Sequence, residues 1–316
     1  MKTRIAIIGA GYMAQEYLRA LMANEKVEVV GIFARNRAAA VKMVGDESSI
    51  YIADSINDLF NNTNAEGVIV AVAELATLEI LDQVFMHPWI SLVEKPVGVD
   101  LETAQKIVDL ASQFQRISLA ALNRRYYSST SGLLDDVKEK RGTRIIRIND
   151  QEDLISAQKS NRPSLVVKNW MHTNSIHLID FFSFLGRGEV SRVVSERRPL
   201  GKETFLVESH LDFSSGDLGI YTCYWNTPSG WSINLNIENF ESELKPLENY
   251  RSRTTENMSW KESPISDLDI KFKPGLYLMC EDFVNFLQGL ESRMLTIKAA
   301  LETRNLIHRI YQGIDL

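Results

Sequence analysis

The chain has 316 residues, 45% of them hydrophobic and 24% charged, which is the composition of a globular protein of about two domains. Its 35 basic and 41 acidic residues give a formal charge of −6 without a long basic run, so nucleic acid is not expected as a partner. The 2 cysteines lack metal-type spacing, and no apolar run reaches the roughly 18 residues of a membrane span. The cysteine spacing therefore gives no reason to expect a bound metal. We expect a cytoplasmic protein, because the short apolar stretch at the N-terminus lacks the features of a signal peptide.

Strand and helix patterns alternate in the first part of the chain. The apolar run at residues 3–10 is typical of a parallel strand buried on both faces, and helical periodicity follows it. Ser55 and Asp100 stand where helix N-caps are expected. Repeated β–α units of this length predict a doubly wound parallel sheet. Its further strands are predicted at residues 27–34, 66–73, 90–98 (with the following loop) and 117–123.

Strands dominate from residue 143 onward. Alternating polar and apolar residues predict strands at residues 205–213, 218–225 and 231–240, with hairpin turns at SSGD and TPSG between them. Such alternation is typical of an antiparallel sheet with one face in water. Residues 169–182, NWMHTNSIHLIDFF, precede these strands and are predicted to form a helix that covers the sheet. Two more helices close the chain.

The segment GAGYMA follows the first predicted strand, opens the first helix and matches the pattern G-x-G-x-x-A. Glycines at these positions permit a tight turn and the close approach of a pyrophosphate to the helix N-terminus. A plain β–α turn is the alternative, since glycine-rich turns are common. The position between strand and helix favours a dinucleotide that contacts Gly9, Gly11, Tyr12, Met13 and Ala14.

The end of the second predicted strand bears on the choice of dinucleotide. A NAD site usually has an acidic residue there, which binds the ribose 2′-hydroxyl, whereas this chain has Arg35, Asn36 and Arg37. An arginine can pair with a 2′-phosphate, so we predict NADP, bound through Arg35 and Asn36. NAD stays possible because an arginine can also stack on adenine. A third interpretation is that these residues form a solvated basic loop without a role in cofactor binding.

Lys95 follows another predicted strand and precedes Pro96, which restricts the turn. In an open α/β sheet the carboxyl ends of the strands line the ligand crevice, where a lysine can be partly desolvated and can handle protons. Taken alone, a surface lysine is the commoner outcome.

These motifs together resemble the Gfo/Idh/MocA oxidoreductases. The resemblance rests on GAGYMA, on EKP at residues 94–96, on NRRY at 123–126 and on HLID at 177–180, in the family's order along essentially the whole chain. It implies an α/β N-terminal Rossmann domain with a doubly wound parallel sheet, residues 1–122. It also implies an α+β C-terminal domain with a large, mainly antiparallel open sheet, residues 123–316.

The resemblance further implies roles for individual residues. Lys95 would polarise the reacting carbinol oxygen, and His177 would be the acid/base that takes the hydroxyl proton, as an imidazole can near neutral pH. Cofactor contacts are expected from Ala71, Glu74, Glu94, Lys95 and Pro96. Substrate contacts are expected from Lys95, Arg124, Lys168, Thr173 and His177.

Two positions depart from the family pattern. Thr173 stands where the pattern D-x-x-x-H-x-x-D has its first acid, so the substrate class, the handling of the proton or catalysis itself can differ. After the third main strand the family usually has a proline and then a histidine, whereas this chain reads AVAELAT. His172 is predicted to point away from His177 in a regular helix, so a metal site built from both is not expected.

The leading interpretation is an NAD(P)-dependent oxidoreductase acting on a CH–OH group, or the matching ketone, of a sugar, sugar nucleotide or related polyol. The alternative is a non-catalytic dinucleotide-binding sensor or regulatory protein of the same fold. The partner is thus a small molecule, and no membrane is expected. One open sheet face, with Ile220, Thr222 and Tyr224, needs covering, so we expect a homodimer or homotetramer through the C-terminal sheet.

Overall fold

The computed structural model describes residues 1–45 and 49–314, and the chain divides into two units. The first unit comprises Met1–Tyr126 and Leu268–Leu301, and the second comprises Tyr127–Asp267 and Glu302–Leu316. The first unit contains a 6-stranded sheet and the second an 8-stranded sheet.

The first sheet is built from strand–helix repeats. Its strands are β1 (Thr3–Ile8), β2 (Val27–Phe33), β3 (Tyr51–Ala53), β4 (Gly67–Val70), β5 (Ile90–Glu94) and β6 (Ser118–Ala121). The helices between them are α1 (Tyr12–Met22), α2 (Arg37–Val44), α3 (Ile56–Thr63), α4 (Thr77–Phe85) and α5 (Leu101–Gln113). The strand order is β3-β2-β1-β4-β5-β6, and every neighbouring pair is parallel. The predicted doubly wound parallel sheet is therefore confirmed.

Local polar contacts set where several of these helices begin. The Ser55 hydroxyl accepts a hydrogen bond from the N–H of Asp58 at 2.9 Å, and the Asp100 carboxylate accepts one from the N–H of Thr103 at 2.7 Å. Each bond satisfies an N–H group that the helix itself leaves unpaired. Both predicted N-caps are confirmed.

The second sheet is mixed and mostly antiparallel. Its strands are β7 (Arg144–Glu152), β8 (Val190–Pro199), β9 (Phe205–Phe213), β10 (Leu218–Trp225), β11 (Ser232–Ile237), β12 (Phe240–Leu244), β13 (Tyr250–Thr254) and β14 (Lys261–Ser263). The helices from here on are α6 (Ser128–Val137), α7 (Leu154–Lys159), α8 (Ser164–Lys168), α9 (Ile176–Leu185), α10 (Asp267–Lys271), α11 (Leu276–Leu287) and α12 (Ile297–Tyr311). The strand order is β14-β13-β12-β11-β7-β10-β9-β8, and only β7 and β10 pair in parallel.

One of the two predicted hairpins is wrong. The SSGD turn does join antiparallel neighbours, since β9 and β10 pair from Leu218 opposite Asp212. The TPSG turn does not, because β7 lies between β10 and β11 and pairs with both of them. A turn sequence favours a local reversal of the chain, but a strand from far earlier in the sequence can still insert into the gap.

The segment predicted as one strand at residues 231–240 is two. β11 ends at Ile237, and β12 returns from Phe240 as its antiparallel neighbour. Glu238, between them, has a φ of 47° in the left-handed region, which is rare for a residue with a side chain. The alternation of polar and apolar residues continues through Glu238 and breaks only at Asn239, so the pattern alone extends the strand past the end of β11.

The predicted helix over residues 169–182 is not a continuous α-helix. It begins as a π-helical turn, Met171–Ser175, and becomes α-helical only in α9. A π turn takes up more residues than an α turn, so α-helical spacing does not hold between Thr173 and His177. The direction predicted for His172 assumed the same spacing and needs the same correction.

The core of the first unit includes a helix from late in the chain. Buried apolar side chains of β1 and α1, such as Ile7 and Leu21, belong to the same cluster as Phe283 of α11. Gly67 in β4 allows this packing, because a Cβ there would lie 2.9 Å from the Phe283 ring. Among the described residues, no helix is both long and apolar enough to cross a membrane.

Candidate active site

The turn between β1 and α1 leaves open space at the start of the helix. Gly9 has a φ of 122°, and a Cβ there would collide with the main-chain carbonyl of Ala71. A Cβ on Gly11, the N-cap of α1, would meet nothing within 4 Å. The first turn of α1 has no acidic residue, so its N–H groups and positive dipole end are available to a phosphate. The residues present therefore fit the pyrophosphate of a dinucleotide.

The other residues of GAGYMA differ in accessibility. Tyr12 is 64% exposed, and the Lys273 ammonium lies 5.6 Å from the centre of its ring. Met13 is half-buried, whereas Ala14 is fully buried in the core of the unit. Ala14 can thus meet a ligand only through its main chain, and its small side chain serves the packing of α1.

Three polar residues follow β2, and their contacts differ. The Asn36 side chain caps α2 by accepting from the N–H of Ala39 at 3.2 Å. Arg37 donates to the Asp54 carboxylate at 2.7 Å and to the carbonyl of Ile52 at 2.8 Å. Arg35 is exposed. Two of the three side chains therefore stabilise the local fold.

Lys95 follows the carboxyl end of β5, among charged groups of both signs. It is half-buried, and burial lowers its pKa while Glu94 and Glu74 oppose that change. Arg124 and Lys273 add positive charge nearby and lower the pKa of Lys95 further. A lysine in such surroundings gives up a proton more readily than one in water, and it can also donate a hydrogen bond to a developing oxyanion.

Glu94 is held by a partner that the sequence patterns did not suggest. The Tyr17 hydroxyl on α1 donates to the Glu94 carboxylate at 2.6 Å. Burial raises the pKa of Glu94, although Lys95 and this hydrogen bond lower it. Tyr17 reads in the sequence as an apolar helix position, because helical periodicity does not distinguish a tyrosine from other core aromatics.

Lys273 is a further residue that sequence reasoning missed. It lies between α10 and α11 and acts on the pKa of both Glu94 and Lys95. No motif marks it, and some 180 positions separate it from Lys95 in a chain of 316 residues. Only the packing of α11 in the first unit brings it near β5.

In the second unit, His177 stands at the start of α9. It is 9% exposed, and its ring centre lies 6.4 Å from that of Trp231. Asp180, one turn later, accepts a hydrogen bond from the Thr303 hydroxyl at 2.9 Å. Lys168 is exposed at the end of α8. Of the residues predicted to contact substrate in this unit, His177 is the one that lies near an aromatic side chain, that of Trp231.

The π-helical turn before α9 contains the other predicted residues. The Thr173 hydroxyl donates to the carbonyl of Trp170 at 3.2 Å. The carbonyl of His172 accepts from the Arg304 guanidinium at 2.8 Å, and His172 is 6% exposed. His172 is thus part of the packed interior. Within residues 1–45 and 49–314, no group of three or more His, Cys, Asp and Glu side chains is arranged for a metal ion.

Glu152, at the end of β7, is the main functional candidate that no sequence motif indicates. Its carboxylate is 1% exposed and accepts three hydrogen bonds, from Trp170 Nε1 at 2.6 Å, Asn174 Nδ2 at 2.8 Å and Ser175 Oγ at 2.8 Å. Burial, and then the charge of Asp150, raises the pKa of Glu152 to about 8. A signal did exist, since Asp150 and Glu152 continue the inward-facing alternation of Ile146 and Ile148.

A cavity of about 320 Å³ opens beside this carboxylate. The indoles of Trp170 and Trp231 contribute apolar lining, and Glu152 and Asn174 contribute polar groups. Arg162 also lines it and lies 5.2 Å above the Trp170 ring. An apolar concavity with a few convergent polar groups is typical of small-molecule sites. Aromatic faces beside hydrogen-bonding groups suit a ring that carries hydroxyl groups.

The parallel sheet, the glycine turn and the open helix N-terminus define a dinucleotide-binding Rossmann domain. Residues 3–121 match the sequence model described as the oxidoreductase family with an NAD-binding Rossmann fold. The domain belongs to the Gfo/Idh/MocA oxidoreductases, and the resemblance inferred from the motifs is confirmed.

Two curated proteins are similar to part of the chain. The rhizopine catabolism protein MocA of Rhizobium meliloti is 24% identical over 135 residues, which are 43% of this chain and 42% of that protein. Glucose-6-phosphate 3-dehydrogenase of Bacillus subtilis is 31% identical over 129 residues, 40% of this chain and 35% of that protein. The match thus spans less than half the length of both relatives.

Solved structures are similar over nearly the whole chain. A dehydrogenase from Chromobacterium violaceum has a TM-score of 0.80 at 17% identity, and the match covers 98% of this chain and 94% of that one. Similarity at this identity shows the fold. The predicted class, a Rossmann domain followed by an α+β part with a large, mainly antiparallel sheet, is confirmed.

Proposed function

We propose that the protein is an NADP-dependent oxidoreductase that transfers a hydride between the nicotinamide and a carbinol or ketone carbon of a sugar, sugar nucleotide or related polyol. The observation that carries this proposal is Lys95, a lysine of lowered pKa at the carboxyl end of β5 in a Rossmann domain of this oxidoreductase family. The cavity with two indoles and the similarity to a sugar-phosphate dehydrogenase support the substrate class.

The chemistry requires a base and a polarising group from the chain. A bound nicotinamide supplies the hydride acceptor. When a carbinol carbon loses a hydride, its hydroxyl must lose a proton, and the His177 imidazole takes that proton. The Lys95 ammonium stabilises the negative charge that develops on the oxygen. In the reverse direction His177 returns the proton to the alkoxide.

Single substitutions test these two roles. We expect Lys95→Met and His177→Asn to bind NADPH as the wild type does and to lose turnover by about a hundredfold or more, the usual contribution of a positioned acid/base. Binding is measured by NADPH fluorescence and turnover by the nicotinamide absorbance with a panel of sugars and sugar phosphates.

Exposed residues supply matched controls for these substitutions. Lys159→Met and His308→Asn change the same residue types at exposed positions and should turn over like the wild type. Wild-type turnover in the Lys95 and His177 variants would refute the assigned roles.

Thr173 favours one alternative, a dinucleotide-binding protein without catalysis, because a hydroxyl replaces the acid of the family pattern. In that case NADPH would bind tightly to the wild type and no member of the panel would oxidise or reduce it. The same assay therefore decides between the two functions.

A further inference from the structure

The turn that leads into α9 is tied to a buried carboxylate on the neighbouring strand. Glu152 accepts hydrogen bonds from three side chains of residues 170–175, within a stretch that is π-helical from Met171 to Ser175. Burying a carboxylate is costly unless several donors surround it, so this arrangement is sensitive to the state of the group. The bonds join the end of β7 to one short segment of the chain.

Two of the three donors are also walls of the cavity. Trp170 and Asn174 line it together with Glu152 itself. The second indole of the lining, Trp231, donates to the carbonyl of Gln151 at 3.1 Å, next to Glu152 in the chain. Both indole walls are thus hydrogen-bonded to the last two residues of β7.

An ionised and a neutral carboxyl group hold these donors differently. The carboxylate accepts all three bonds, whereas a neutral carboxyl presents one oxygen as a donor. Trp170 Nε1 is only a donor and cannot accept from it. Trp170 and Asn174 both donate to Oε2, so a proton on Oε1 keeps their two bonds but removes the charge that strengthens them. Bonds to a neutral carboxyl are about half as strong as bonds to a carboxylate, so protonation of Glu152 weakens the hold on the cavity wall.

We propose that Glu152 is a positioning residue for the substrate cavity, whose carboxylate holds the Trp170 indole and the Asn174 amide where they meet a polyhydroxylated ring. Protonation of Glu152 loosens this wall. The inference rests on the proposed function for the identity of the ring. It assigns Glu152 no contact with the reacting atoms.

The surroundings of Glu152 place its titration in an accessible range. Asp150 on the same strand and Cys223 on β10 are both buried, and the thiol pKa is itself raised by burial and then by the two carboxylates. Asp153 and Arg162 line the cavity. Burial and then Asp150 raise the pKa of Glu152 to about 8, so the wall is held more tightly above that pH than below it.

The first test follows tryptophan emission of the full chain from pH 6 to 10. We expect a wild-type transition with a midpoint near the pKa of about 8. It should be absent in Glu152→Gln, strongly reduced in Trp170→Phe and unchanged in Glu203→Gln, which alters an exposed carboxylate of the same unit. A wild type without the transition, or a Glu152→Gln variant that retains it, overturns the proposal. Trp170→Phe keeps the test valid if Glu152→Gln does not fold.

The second test separates binding from chemistry with glucose 6-phosphate and NADP⁺ as the probes. At pH 9 we expect Glu152→Gln to raise KM about tenfold with kcat within about threefold, as loss of hydrogen bonds to a charged group predicts. Glu152→Asp should recover part of the loss. A Glu152→Gln effect on kcat with unchanged KM overturns the positioning role. If the emission transition is present and no substrate turns over, the proposed function fails while Glu152 retains its place in the wall.

Discussion

Side chains of the same type have different tasks at neighbouring positions. Arg35 and Arg37 are two residues apart and equally plausible as phosphate ligands in the sequence. Arg37 is engaged by Asp54 and the carbonyl of Ile52, whereas Arg35 is exposed. At the other sheet, Glu152 reads as a polar strand end and is one of the most buried carboxylates of the unit.

We predict that Arg35 selects NADP. Arg35→Ala should weaken NADPH binding about tenfold or more and leave NADH binding nearly unchanged, because only NADPH has a 2′-phosphate for the guanidinium to bind. Fluorescence titration with both cofactors measures the change.

The matched control for Arg35 is Arg37→Ala. It removes an exposed ion pair and should change the affinity for the two cofactors equally. A wild type with equal affinity for NADPH and NADH would contradict the assignment.

At the scale of elements, the second sheet depends on contacts between strand ends that are distant in sequence. Asp217, in the turn before β10, accepts from the N–H of Arg144 at the start of β7 at 2.8 Å. It also accepts from the N–H and the guanidinium of Arg187, which precedes β8. One buried carboxylate thus joins three strands where they begin.

This contact predicts a stability effect that depends on pH. Burial alone would raise the pKa of Asp217, but the bonds from Arg187 and from the main chain of Arg144 and Arg187 lower it to about 2, from an ordinary 3.8. A carboxyl with a depressed folded-state pKa stabilises the fold above its unfolded value, and this contribution is lost as pH falls from about 4 to about 2. Asp217→Asn should therefore lower the thermal midpoint at pH 6 and have less effect near pH 2.5.

The control for this prediction is Asp212→Asn. The Asp212 carboxylate forms an exposed 3.6 Å ion pair with Arg192, so the substitution should change the thermal midpoint little at either pH. An Asp217→Asn effect of the same size at pH 6 and pH 2.5 would show that the charge of Asp217 is not what stabilises the turn.

At the scale of the whole molecule, one face of the second sheet is only partly covered. In β10, Tyr221, Cys223 and Trp225 are buried, whereas the alternate positions 220, 222 and 224 are half-exposed. A sheet face of this kind is commonly covered by the same face of a second copy.

We predict a homodimer or homotetramer through this face. Thr222→Arg, at the centre of β10, should shift the wild-type oligomer toward monomer, because it brings like charges together across an isologous contact. Analytical ultracentrifugation measures the shift. Met258→Glu changes a side chain that is 60% exposed elsewhere and should leave the oligomer intact. A monomeric wild type would refute the prediction.

The sequence by itself determined the elements whose causes are local. The buried runs, the N-caps at Ser55 and Asp100 and the glycine turn at Gly9 depend on residues within a few positions of one another, so sequence patterns predict all of them. The family resemblance had the same basis, since each motif is short and their order along the chain is a property of the sequence.

Only the tertiary structure decided what depends on neighbours far along the chain. The insertion of β7 between β10 and β11, the turn at Glu238, the approach of Lys273 to Lys95 and the burial of Glu152 are examples. Strand pairing and the environment of a charge are set by packing across many positions, whereas turn and periodicity signals act over a few. A strand pattern therefore predicts that a carboxylate such as that of Glu152 is exposed, and only the tertiary structure shows which elements bury it.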